Sequence, residues 1–89
     1  MAEMTCWKKL LGDELDIWGE TLEDVVSSTM SEEEMLVEFN AGYGRTHGIP
    51  FTVWTANRVY FPVCYDGAEW VSSASRNPDG VATNHIGAG

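Results

Sequence analysis

The sequence predicts an α+β protein, with short acidic N-terminal helices packed on a three- to four-stranded antiparallel sheet, a meander, formed by the second half. Three observations predict it. Ser31 followed three residues later by Glu34 is the signature of a capped helix start. "DG" at 66 and 67 separates two runs rich in β-branched and aromatic residues, the strongest short hairpin signal in the chain. Hydrophobic residues make up 44% of the sequence, with four Trp, three Tyr and three Phe, and disordered acidic chains lack such core material.

Each element follows from local signals. Residues 4–11, "MTCWKKLL", read as two turns of helix, with Thr5 as candidate N-cap and Gly12 as the stop. Residues 13–18, "DELDIW", fit a short strand and a continuing helix about equally, because Leu15 and Ile17 alternate with acids. Residues 21–26, "TLEDVV", read as a short helix capped by Thr21, with Asp24 three residues on. Residues 31–40 read as the clearest helix: Glu32, Glu33 and Glu34 sit in its first turn, where the macrodipole favours acids. Met35, Leu36 and Phe39 form its apolar stripe, and Gly42 and Gly44 end it.

Residues 51–75 read as sheet. "FTVWT" is a strand by composition, "AN" is a turn, and "RVYFPVCY" is the next strand, with Val59, Phe61, Val63 and Tyr65 on one face. "AEWVSSA" returns after the Asp66–Gly67 turn. Pro62 cannot donate to a ladder, so the strand carries a bulge there or exposes that position at an edge. The expected organisation is one domain over 1–75, with an acidic helical half (1–44) and the sheet (51–75). A Gly-rich C-terminal loop or tail follows over 76–89.

Charge narrows the function. Residues 10–44 hold ten Asp or Glu and no Lys or Arg, and the whole chain carries a formal charge of −9. Such a molecule is repelled by nucleic-acid phosphate and anionic lipid and attracted to basic surfaces, so direct nucleic-acid and membrane partners are not expected. No apolar run approaches the ~20 residues that span a bilayer. The start of the chain does not read as a secretory signal, and the expected location is cytoplasmic.

Chemistry is sparse. Cys6 and Cys64 read as reduced thiols, although sequence does not set their separation and leaves one disulfide between them open. Cys6, Cys64, His47 and His85 lack zinc-site spacing, and "DELDIWGETLED" lacks the order of ligands of a calcium loop. No cofactor, metal site or catalytic residue is expected. "AGYGRTHGIP", residues 41–50, follows a helix and precedes a strand, the reverse of a phosphate-binding loop, and reads as a helix stop and turn. Tyr43, Arg45 and His47 within it form a secondary contact loop.

The acids themselves are the candidate site: Asp13, Asp16, Glu20, Glu23, Asp24, Glu32, Glu33, Glu34 and Glu38. Carboxylates three or four residues apart on a helix stand about 5–6 Å from one another, a scale similar to that of phosphates along a DNA strand. Glu38, at the far end of the predicted helix, sits where the dipole disfavours an acid and is the most telling. In length, charge and α+β build the chain resembles small phage-encoded DNA-mimic inhibitors, anti-CRISPR proteins in particular. That resemblance implies a non-enzymatic inhibitor in the cytoplasm of an infected bacterial host. It would bind a basic surface of a nucleic-acid-handling complex, such as a CRISPR effector, and block target access. The alternative is a structural or assembly protein, a homodimer through its aromatic sheet (Trp54, Tyr60, Trp70 and the edge near Pro62), with the acid serving solubility.

Overall fold

The computed structural model describes residues 4–42, 46–83 and 85–86. It is an α+β fold in which one long helix lies on one face of a four-stranded antiparallel sheet. In chain order the elements are β1 (Met4–Thr5), α1 (Trp7–Ile17), a 3-10 turn (Leu22–Asp24), β2 (Val25–Ser28), α2 (Glu32–Met35), β3 (Phe39–Asn40), β4 (Val53–Thr55), β5 (Arg58–Tyr65) and β6 (Ala68–Ser75). The main sheet runs β2-β4-β5-β6, and β1 pairs with β3 in a separate two-stranded ribbon.

The helices differ from the expectation. Thr5 does not cap α1: it pairs with Phe39 in the ribbon, and its hydroxyl is buried without a hydrogen-bond partner. Cys6 occupies the N-cap position in extended conformation. The helix runs through Gly12 and absorbs residues 13–17, so the continuing-helix reading of that stretch holds. Trp7, Leu11 and Leu15, spaced by four, form its buried stripe. The stop is Gly19, at φ +70°. Its N–H donates to Asp16 O at 3.1 Å and that of Glu20 donates to Leu15 O at 2.9 Å, the paired bonds of a Schellman motif.

Residues 21–26 are not a helix. Thr21 N–H donates to Asp24 Oδ2 at 2.8 Å, which closes a single 3-10 turn. Val25 and Val26 then enter β2, as their β-branching favours. β2 pairs with β4 across a bulge between Val25 and Ser27. The 31–40 helix is also shorter than expected. Its capping box is present: Glu34 N–H donates to Ser31 Oγ at 3.1 Å and Ser31 N–H to Glu34 Oε1 at 2.9 Å. It ends at Met35 after one turn, well before Gly42, leaving Leu36 exposed and putting Phe39 in β3.

The sheet half follows the predicted order, with β4 starting at Val53 rather than at residue 51. Asp66 and Gly67 both have positive φ, 51° and 85°, as a type I′ turn requires. β5 and β6 then pair one to one along eight residues. There is no bulge at Pro62, which opposes Val71 in register. β4 pairs with β5 at Val59 and Tyr60, so the flank of β5 at Pro62 is the edge that a missing N–H needs.

Alternation gives the sheet two unlike faces. The core face carries Val53, Thr55, Tyr60, Val71 and Ser73, all buried. Trp7, Leu11 and Leu15 of α1 pack on it, and Met30, Met35, Phe39 and Phe51 complete one hydrophobic cluster. Tyr60 is fully buried in this cluster, so it takes no part in an exposed aromatic surface. The opposite face carries Trp54, Val59, Phe61, Val63 and Tyr65, with Ala68, Trp70, Ser72 and Ala74 across from them on β6. Trp54, Val59, Phe61, Val63 and Trp70 on this face are partly buried and Tyr65 is exposed, and none of the six belongs to the core cluster or packs against it.

Residues 76–83, 85 and 86 form no regular element. Among the described residues, no helix is long and apolar enough to cross a membrane.

Candidate functional site: an acidic helical layer above a polar network

Of the nine acids singled out from the sequence, eight are exposed. Asp13 and Asp16 lie on the open side of α1, Glu23 and Asp24 in the 3-10 turn, Glu32, Glu33 and Glu34 on α2, and Glu38 in the link to β3. Lys8, Leu22, Val25, Glu32 and Met35 line one shallow cleft of about 320 Å³, so α1, the 3-10 turn and α2 meet at one surface. Lys8 lies in that cleft, and Lys9 precedes Asp13 by one turn of the same helix. Two cations therefore stand within the acidic layer in space, although they precede it in sequence.

Local roles absorb three of the nine. Asp24 and Glu34 accept from backbone N–H groups in their caps. Glu20 turns inward, where its Oε1 accepts from Tyr60 Oη at 2.5 Å and Thr55 Oγ1 at 3.0 Å. Glu20 and Asp24 do not share a helix, and neither do Glu34 and Glu38. Glu38 lies beyond α2, and the dipole argument for it lapses with the helix. Asp13, Asp16, Glu23, Glu32, Glu33 and Glu38 remain exposed and uncommitted.

Of the secondary contact loop, Tyr43 and Arg45 lie outside the described residues. His47 is exposed, and its backbone N–H donates to Glu69 Oε2 at 2.8 Å; that of Gly48 donates to Glu69 Oε1 at 2.9 Å. Glu69 is 5% exposed and fastens the loop to β6 through both carboxylate oxygens. Ala41 O, accepting from Glu69 N–H at 2.8 Å, adds a backbone tie at the same point. Residues 47–49 thus hold a defined place beside Trp7, whose indole N–H donates to Ile49 O at 3.0 Å.

Beneath the acidic layer lies a polar network that sequence reasoning missed. Glu14 Oε2 accepts from Trp18 Nε1 at 2.9 Å and from Ser73 Oγ at 3.0 Å. Arg58 Nε donates to Ser73 Oγ at 3.0 Å, and its guanidinium stands 3.5 Å from the centre of a Trp18 ring, a cation–π contact. Burial pushes the Tyr60 phenol well above its ordinary pKa, and the hydrogen bond to Glu20 and that carboxylate's charge push it further the same way. Tyr60 is therefore held protonated, a donor rather than a base. The network ties the end of α1 to the sheet. Open clefts of about 430 and 360 Å³ flank the Trp18–Arg58 stack, and Asp79, Val81, Ala82, Thr83 and Ile86 line the second together with Glu14 and Ser72. The signal for Glu14 was its position one turn from Leu11 and Trp18. Taking Gly12 as a helix stop concealed it.

Cys6 and Cys64 are both free thiols, and Cys64 Sγ accepts from Thr46 Oγ1 at 3.2 Å. Among the described residues no group of three His, Cys, Asp or Glu side chains is placed to hold a metal ion. Comparison of the chain with protein-family models, with curated proteins and with solved structures finds no match.

Proposed function

We propose that this protein is a non-enzymatic acidic inhibitor that binds a basic nucleic-acid-binding surface of another protein, a CRISPR effector being the most concrete case. The observation that carries the reading is the set of six exposed carboxylates with no local duty: Asp13, Asp16, Glu23, Glu32, Glu33 and Glu38. Side chains that only cap, bridge or staple are accounted for by the fold. These six are not, and they share the helical layer. A surface of Lys and Arg built to hold phosphates meets in them fixed negative charges that need no base-reading chemistry. Lys8 shares a cleft with Glu32 and Lys9 precedes Asp13 by one turn, so two cations stand among the carboxylates that make the contact.

The test is a triple reversal of Glu32, Glu33 and Glu38 to Lys, which spares the cap at Glu34. Binding to a purified CRISPR effector is followed across a salt series. The expected result is a binding constant that falls steeply with salt for the native chain and by at least about tenfold in the variant, as coupled charge pairs at interfaces do. Binding that ignores both salt and reversal overturns the reading.

A further inference from the structure

The sheet face turned away from α1 is the one broad surface of the described chain that bears no charge. Its side chains on β4, β5 and β6 include no Asp, Glu, Lys, Arg or His, although the chain carries 14 acids and five basic residues. At the β2 edge it continues with Val26, which is 63% exposed, and with Ser27, which pairs with Trp54. A contiguous apolar face of this kind on a small protein marks an interaction surface.

The charge pattern selects the occupant. A basic partner is drawn to the helical layer and finds nothing to pair with here, whereas a neutral, flat, apolar counter-face fits, and a second copy presents one. Sheets packed face to face stand ~10 Å apart, which leaves each helical layer on the outside. With ~10 Å between the packed sheets and each helical layer on the far side of its own sheet, the two acidic layers end up well over a Debye length of ~8 Å apart. The net charge of −9 therefore does not oppose this pairing, although it opposes any in which helical layers meet.

Shape points the same way. Trp54, Val59 and Ala74 share one row of the face, Phe61 and Ser72 the next, and Val63 and Trp70 a third. A two-fold axis lying in the face, across the strands at the Phe61–Ser72 row, sets Trp70 of each copy over Ala74 of the other, large against small, and Ser72 over Ser72. Such a contact is self-complementary. β5 and β6 contribute eight residues each, β4 three and β2 four, which at ~3.4 Å per residue and ~4.8 Å per strand gives about 375 Å² per copy. The total of about 750 Å² lies in the range of weak, transient interfaces. We propose that this face joins a second copy of the chain in a weak two-fold dimer.

Sedimentation velocity of the full chain over ~10 µM to 1 mM, the range of weak association, tests it. The expected result is a mass that rises from 9.8 kDa towards twice that value. Ser72→Asp places a carboxylate that stays hydrated in the monomer and would be buried in the dimer. It is expected to raise the midpoint concentration by at least about tenfold while circular dichroism and melting stay native. The Glu32, Glu33 and Glu38 reversals are expected to leave association intact, which separates this face from the acidic layer. A monomer throughout overturns the proposal and assigns the face to an uncharged partner of another kind. An unshifted midpoint in folded S72D overturns it as well.

Discussion

Gly48 lies flat against the indole of Trp7: a Cβ built on it would stand 2.5 Å from Cζ2 of that ring. Trp7 is fixed from both sides, with ring centroids 4.7 Å from Phe39 and 4.9 Å from Phe51, so it cannot move aside. Gly48→Ala is expected to destabilise the fold by about 1–3 kcal/mol, the range for overpacking. Urea denaturation followed by Trp fluorescence measures it. A variant as stable as the native chain would show that the loop backs away freely.

Gly12 predicts the opposite sign. It sits inside α1, and a Cβ there would meet nothing within 4 Å. Gly12→Ala is expected to stabilise by about 0.5–1 kcal/mol through helix propensity, and Gly19→Ala, at φ +70°, to destabilise by about 1 kcal/mol. Thermal melts of the two variants should move in opposite directions.

Glu69 anchors the loop through two backbone N–H groups. Glu69→Ala removes the acceptor of both N–H groups at a part-buried site, and about 1–3 kcal/mol of stability should be lost. Amide exchange at His47 and Gly48 should accelerate in parallel, a readout that loss of packing elsewhere would not produce.

Tyr60 sets an alkaline limit. Its folded pKa is raised above the ordinary 10.0 by burial and by Glu20, so the folded chain holds the proton more tightly than the unfolded chain. That contribution is fully present below about pH 10 and falls away as pH rises beyond it. Stability should therefore decline above pH 10, with the Tyr60 phenol ionising only as the fold is lost. Tyr60→Phe should cost about 1–2 kcal/mol at neutral pH and flatten the alkaline decline. An unchanged slope would assign the decline to other groups.

The second half of the chain was readable because its signals are short in range. Asp66–Gly67 demands a type I′ turn by φ alone, and β-branched runs on either side need no distant partner to declare themselves. The first half was harder. Gly12 looks like a stop, but Leu11 and Leu15 bury enough on the sheet to carry the helix past it. Val25 and Val26 look like the tail of a capped turn, and only the free edge of β4 makes them a strand. Phe39 matches a helical stripe after Met35 and is instead recruited by Thr5 in the ribbon. The acids divided in the same way. The cap at Ser31 and Glu34 was local and legible, but the inward turn of Glu20 depends on Tyr60 and Thr55, more than thirty residues away. Glu69 was missed because its partners come from a distant segment, and Glu14 because Ser73 does and because Gly12 hid the helix that sets Trp18 beside it.

Because α1 covers the sheet on one side alone, neighbouring residues of β5 answer to different demands. Tyr60 belongs to the folding of a single chain, whereas Val59 and Phe61 on either side of it do not. Substitutions at residues 59 to 61, scored once for folding and once for self-association, should separate, with Tyr60 on the first score and Val59 and Phe61 on the second. A chain this small thus has room to vary one property without touching the other, provided that changes arrive at every second residue.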